Sequence, residues 1–223
     1  MVSVIVSAHT DRGWLDEAIQ SAVNQDFKDK EVILSSDGNT DLERYAEKYN
    51  IRFILTPKGN HSSAFNNAIK QANGEWIKEC HDDDILLPSA VSDLYKEIGE
   101  SSLVYGNAID VWPGADIPYY PPEKIDIRSL CPIVHNPINF LTIMFKKSAW
   151  EQVKFDHNLL HGEDYDFYMG LLLKGHKFNY CNKFIVRYRH HAQQLTEVFY
   201  QDKRDFLRNY IIKKYNIYEI TLP

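Results

Sequence analysis

The sequence is read as an α/β fold, a single domain built on a mostly parallel central sheet with helices on both faces. Three observations lead there. Apolar β-rich runs alternate with helical patterns from residue 2 to about residue 108. The length of 223 residues suits one domain, or one with a modest appendage. With 44% hydrophobic, 13% aromatic and 25% charged residues, the composition is that of a packed globular chain and excludes disordered, collagen-like and disulfide-scaffold classes.

The elements follow in order. Residues 2–7 read as a strand, and residues 14–24 as a helix with Leu15, Ala18, Ile19 and Ala22 on one face. The step repeats as strand 32–34 and helix 42–49, strand 53–55 and helix 64–72, then strand 76–78 and helix 90–98. Strands alternating with helices pair in parallel, and such sheets bind ligands at the strand carboxyl ends. The loops that fall there are 9–12, 35–40 and 80–84. Six of the nine prolines then fall between Pro113 and Pro137, so this segment reads as loop with extended pieces. Residues 138–145 read as a buried strand, 147–153 as a short helix, 164–173 as a helix closed by Gly175, and 184–188 as a further strand. The tail 202–215 places Phe206, Leu207, Tyr210 and Ile211 on one helical face, which reads as docking on the core, with contact to a membrane surface or another domain as the alternative.

Charge and cysteine usage narrow the function classes. Thirty-one acidic against 25 basic residues give a net charge of −6 without a long basic block, which argues against a nucleic-acid partner. Cys80, Cys131 and Cys181 are widely spaced and form no CxxC pair, which fits a reducing compartment. The N-terminal apolar run has no basic region before it, and no stretch is apolar enough for a transmembrane segment. The expected location is cytoplasmic, as a free enzyme or as one part of a larger multidomain chain.

Four segments carry candidate chemistry. Cys80-His81-Asp82-Asp83-Asp84 sets three carboxylates directly after a buried strand, where their repulsion calls for a counter-charge. Mn²⁺ or Mg²⁺ suits hard oxygen ligands shared with a substrate diphosphate; the competing reading is a solvated loop capping the next helix. Asp37-Gly38 ends the second strand, where the carboxylate can accept from a base or a ribose and the glycine permits a tight turn. In His161-Gly162-Glu163-Asp164-Tyr165-Asp166 the acids precede a helical pattern; they either complement a helix N-terminus or supply a base that helix-end placement keeps ionised. Arg189-His190-His191 follows the last strand, and either imidazole can be a surface residue or a metal ligand.

In that order, VSVIVSAHT, LDEAIQSAVNQDF, EVILSSDGNTD, NNAIKQANGEWIKECHDDDILLP, MFKKSAWEQV, GEDYDFYMGLLLKG and YRHHAQQLT resemble the inverting GT-A glycosyltransferases of family 2, from about residue 2 to residue 196. The resemblance implies a Rossmann-like GT-A domain that transfers a hexosyl group from a nucleoside-diphosphate sugar donor, UDP-linked foremost, to a hydroxyl of a saccharide or glycoconjugate acceptor. Residues 1–110 would form the nucleotide-sugar half, 111–200 the acceptor and catalytic half, and 201–223 a helical tail. By the same resemblance Ala8, His9 and Asp37 lie at the base, and Asp82 near the ribose and diphosphate. Asp83 and His191 hold the metal, and Asp164 of the Glu163-Asp164 pair is the catalytic base. Lys58 and Asn66 join the nucleotide-binding set. Three positions depart from the family pattern: Ser36 precedes Asp37, His81 replaces the first acid of the DxD pattern, and Phe65 stands where an arginine is common. In the proline-rich segment, Trp112, Tyr119, Tyr120, His135 and Asn139 are candidates for acceptor contact, since aromatic faces pack on sugar rings.

Two other classes fit parts of this pattern. A sugar-phosphate nucleotidyltransferase needs a glycine-rich phosphate loop after the first strand, and residues 7–13 hold one glycine. A non-catalytic nucleotide- or sugar-binding module has no use for Asp164 beyond the nucleotide-site acids.

Overall fold

The computed structural model describes residues 1–130, 136–194 and 202–216. The strands are β1 (Val2–Ala8), β2 (Lys30–Asp37), β3 (Arg52–Thr56), β4 (Trp76–His81), β5 (Ile85–Leu86), β6 (Leu103–Trp112), β7 (Ala115–Tyr119), β8 (Met144–Lys146) and β9 (Phe178–Arg189). They join in one sheet of order β3-β2-β1-β4-β8-β6-β9-β5, with β7 paired to β6. The first four are mutually parallel, as are β6 and β9, while β8, β5 and β7 pair antiparallel to their neighbours. Six strands therefore run one way, and the sheet is mostly parallel.

The helices are α1 (Leu15–Val23), α2 (Glu43–Tyr49), α3 (His61–Gln71), α4 (Ala90–Lys96), α5 (Ile127–Leu130), α6 (Lys147–Gln152), α7 (Glu163–Leu173) and α8 (Asp202–Tyr215). Alternation along β1 sorts the core into two layers. Val4 and Val6 pack with Leu15 and Ile19 of α1, Ala46 of α2 and Leu94 of α4. Ile5 faces the other side with Phe65 and Ile69 of α3, Trp150 of α6, Phe167 of α7 and Ile211 of α8. The four residues expected on the inner face of α1 are all buried. Cys80 and Cys181 are buried free thiols, and Cys131 lies outside the described residues. Among the described residues no helix is long and apolar enough to cross a membrane.

Two departures from the sequence reading have local causes. The strand expected over 138–145 is broken: Asn139 accepts a hydrogen bond from the Leu141 amide and turns Phe140–Thr142 into a 3₁₀ turn, so that β8 begins only at Met144. The ten-residue β6 carries no clean alternation in sequence, because its first half is buried on both faces between β8 and β9. It also runs across residue 110, so the two expected halves share one sheet.

The tail docks as expected, with one exception. Ile211 is buried and Leu207 and Tyr210 pack on the core, but Phe206 is 59% exposed. The docking is polar as well. Lys214 Nζ lies 2.7 Å from both Asp156 Oδ2 and the fully buried Asp166 Oδ2, and the Tyr215 hydroxyl donates to the Asp166 carbonyl at 3.1 Å. Gly162 sits before α7 with φ +76°, against the Leu207 side chain, where a Cβ would collide. Burial opposes ionisation of Asp156, but Lys214 and Tyr210 outweigh it and hold the carboxyl below its usual range.

Removing the lysine leaves Asp166 buried without its partner, so Lys214→Met should cost about 3 kcal/mol of stability by urea unfolding at neutral pH. Because the folded-state value of Asp156 is depressed, its share of that stability is complete above about pH 4 and fades below it. The gap between wild type and variant should therefore narrow in acid.

Candidate functional site

The strand register builds the site. In the parallel ladders Ala8 lies beside Ser36, Ser7 beside His81, and Asp37 beside Thr56, so β1, β2, β3 and β4 end at one rim of the sheet. The loops leaving that rim carry His9, Gly38, Lys58 and Asp82 to Asp84. Asp37 Oδ1 accepts from the Gly59 amide at 2.8 Å, and His9 Nδ1 lies 3.2 Å from the Asp37 carbonyl oxygen. Gly38 has φ +77°, and a Cβ there would come within 2.7 Å of Lys58 Cβ. Only glycine lets the 57–59 loop close over the end of β2.

The triple-aspartate loop divides its labour. Asp83 Oδ2 lies 3.0 Å from His191 Nε2 and 3.8 Å from Arg12 Nη1, while Asp82 Oδ1 lies 3.2 Å from the same guanidinium. Asp84 Oδ1 accepts from the Arg189 amide at 2.7 Å, and its Oδ2 is buried without a hydrogen bond. The Arg189 guanidinium donates to the Asp83 carbonyl at 2.6 Å and pairs with Glu17 at 2.8 Å over the Trp14 ring. Burial, reinforced by Asp83, pushes the Asp82 carboxyl up and the Asp84 carboxyl far up. Burial also opposes ionisation of Asp83, yet His81, His191 and Arg12 outweigh it and keep that carboxyl below its usual range. Of the three acids, Asp83 is the one whose carboxyl is shifted towards the ionised form.

These residues fit a hard divalent cation. An ionised carboxylate faces an imidazole nitrogen 3.0 Å away, and the orphaned Asp84 Oδ2 lies buried on the neighbouring residue. Arg12 and Arg189 also show that part of the counter-charge comes from the protein itself. Neither arginine stood out in sequence, because each is a lone cation whose partners lie far along the chain.

At the start of α7, Asp164 Oδ2 accepts from Asn136 Nδ2 at 2.6 Å and Oδ1 from the Tyr165 amide at 2.7 Å. Burial, then the adjacent Glu163, pushes its pKa up to about 7. This corrects the expectation that helix-end placement keeps the group ionised: the desolvation and the like charge outweigh the helix N-terminus. His61, at the start of α3, joins the two regions. Its Nε2 lies 2.8 Å from Glu79 Oε1 on β4 and its Nδ1 3.4 Å from Glu163 Oε1. Burial opposes its protonation, but Glu79 and Glu163 prevail and raise its pKa well above the ordinary value. His61, Glu79 and Asn136 were missed in sequence; the only signal was the unexplained His81 at the DxD position, whose ring centroid lies 5.2 Å from that of His61.

The remaining candidates are scattered. Asn66 is engaged elsewhere: its Oδ1 accepts from Trp150 Nε1 at 2.7 Å and the Phe155 amide at 3.2 Å, and its Nδ2 donates to the Phe155 carbonyl at 2.7 Å. Asn139 caps its 3₁₀ turn. Tyr119 donates to the Pro137 carbonyl at 2.8 Å, and Tyr120 is 59% exposed. Trp112 stacks on His190 with centroids 3.8 Å apart and planes 7° from parallel, leaving the indole 42% exposed. His135 lies outside the described residues.

Known proteins resemble this chain in sequence and in fold. The chain is 29% identical over 202 residues to a chondroitin synthase of Escherichia coli, covering 82% of this chain and 28% of the synthase. Its fold is similar to that of S. aureus TarS in complex with UDP-GlcNAc, with a TM-score of 0.74 at 20% identity over 95% of this chain and 66% of that one. It is also similar to the mannosyltransferase PcManGT of Pyrobaculum calidifontis in complex with GDP-Man and Mn²⁺, with a TM-score of 0.64 at 14% identity over 100% of this chain and 65% of that one. The family model for glycosyl transferase family 2 matches residues 3–158, a segment that includes Asp37, Glu79 and the triple aspartate, whereas Asp164 and His191 lie beyond it. From the sheet, its loaded rim and that match, the chain has the GT-A fold and belongs to glycosyl transferase family 2.

Proposed function

We propose that the protein transfers a hexosyl group, with inversion, from a UDP-sugar to a hydroxyl of a saccharide or glycoconjugate acceptor, and that Mn²⁺ or Mg²⁺ held by Asp83 and His191 is required. The observation that carries this reading is the ionised Asp83 set 3.0 Å from His191 at the sheet rim. UDP-GlcNAc in TarS and Mn²⁺ in PcManGT support the donor and metal classes, and the chondroitin synthase supports a saccharide acceptor.

In this reading Ala8, His9 and Asp37 receive the base, and Asp82 and Lys58 approach the ribose and diphosphate. Arg12 steadies the aspartates between turnovers. The acceptor oxygen attacks the anomeric carbon and forms the new glycosidic bond while the bond from that carbon to the phosphate oxygen breaks. Asp164 Oδ takes the hydroxyl proton, and the electron pair of the broken bond leaves with the nucleoside diphosphate. A divalent cation at Asp83 and His191 supplies Lewis-acid stabilisation of that departing charge. Asn136 aims the Asp164 carboxylate, and a base of pKa about 7 is matched to proton transfer near neutral pH. The exposed indole of Trp112, one residue in space from His190, offers an aromatic face to the acceptor.

Asp83→Ala should abolish Mn²⁺-dependent turnover of the nucleotide sugar. Asp164→Asn should lower kcat about a thousandfold while UDP affinity, read by calorimetry, stays nearly unchanged. Unchanged turnover in either variant contradicts the assignment.

The base must be deprotonated to act, so kcat/KM should rise with pH through about 7 and level off above it. Glu163→Gln removes the neighbouring like charge and should move that rise to lower pH. A rise that stays in place in the variant assigns the titration to another group.

A further inference from the structure

We infer that His61, Glu79 and His81 form a second cation site, specific for a borderline transition ion such as Zn²⁺ or Co²⁺ and separate from the one at Asp83 and His191. Ligand atoms of the three residues lie within 4.8 Å of one another. His61 Nε2 is 2.8 Å and His81 Nε2 3.8 Å from Glu79 Oε1. Donors in a tetrahedral shell with metal bonds of about 2.1 Å stand about 3.4 Å apart, so the two separations straddle the value an ion would impose. Shifts of about half an ångström in the two imidazoles bring both separations to that value.

Two buried polar atoms point to the ligand. Glu79 is 1% exposed, and while its Oε1 accepts from His61 and from the Ser7 hydroxyl, its Oε2 is buried with no hydrogen bond. His81 Nε2 is likewise buried with no hydrogen bond. A carboxylate oxygen and an imidazole nitrogen, both buried without hydrogen bonds in one three-residue cluster, are costly unless a positive charge joins them. Two imidazoles and one carboxylate form a donor set that suits Zn²⁺, Co²⁺ or Ni²⁺ better than Mg²⁺.

The surroundings supply what such a site requires. Glu163 Oε1 stands 3.4 Å from His61 Nδ1, the carboxylate–histidine arrangement that orients a ligating ring and fixes which nitrogen binds. The two histidine side chains are 26% and 31% exposed, so an ion has a path in from solvent. The ion would tie β4 and α3 to the start of α7, beside Asp164. His81 is thus a ligand of this second ion, in the place where an acid of the DxD pattern would stand.

The site is independent of the sugar-transfer reading, and the experiment separates the two. In the Asp83→Asn protein, without nucleotide, Co²⁺ should bind at one ion per chain by calorimetry, with the intense visible absorption of a four-coordinate site. Adding His61→Ala or His81→Ala to that background should each weaken Co²⁺ at least about tenfold, with the far-ultraviolet circular dichroism unchanged. Turnover plays no part in this readout. Loss of Co²⁺ binding in Asp83→Asn alone assigns the ion to the aspartate cluster and overturns the inference. So does binding that survives both histidine substitutions, or wild-type protein that takes up no Co²⁺; in that last case His61 serves only as a cation bridging Glu79 and Glu163.

Discussion

Three consecutive aspartates at the end of a buried strand repel one another, and the rest of the rim is arranged around that repulsion. Arg12 arrives from the loop after β1, Arg189 from the end of β9 and His191 just beyond it, so that two distant segments meet on one tripeptide. Burial adds a second response, favouring the protonated forms of Asp82 and Asp84 while Asp83 keeps its charge. Asp83, with an imidazole beside it, is the most readily ionised of the three, and a diphosphate brought beside it needs a cation between the two.

The same electrostatic economy extends to the acid pair on α7. Glu163 and Asp164 are adjacent carboxylates; His61 pairs with the first, and burial together with the neighbouring Glu163 raises the pKa of the second to about 7. The fold makes these contacts dependable from the opposite side. Asp166, one turn into α7, is fully buried and held by Lys214 of the tail helix, and Gly162 is pressed against Leu207. The C-terminal helix therefore fixes the helix that carries Glu163 and Asp164, which ties global stability to the placement of that acid pair.

Much of this was legible in sequence where the signal is local. The four β-α steps, the strand carboxyl ends and the acidic loops follow from periodicity and turn chemistry, and α8 was bounded correctly by its apolar face. What escaped depends on long-range pairing. β6 is hidden because burial on both faces removes alternation, and the 138–145 strand failed because the Asn139 side chain competes for a backbone amide. Arg12, Arg189, His61, Glu79 and Asn136 acquire meaning only through partners that are close in space and distant along the chain. Asn66, assigned to the nucleotide by resemblance, spends its amide on Trp150 and Phe155, a choice that no local pattern records.

The central claim is that the carboxylate knot holds a divalent cation through Asp83 and His191 against a pyrophosphate. Anomalous diffraction from crystals soaked with Mn²⁺ and UDP tests it most directly. The expected result is a manganese peak between Asp83 Oδ2 and His191 Nε2 that also touches the diphosphate oxygens. UDP bound at the rim with no manganese at those two side chains would contradict the account.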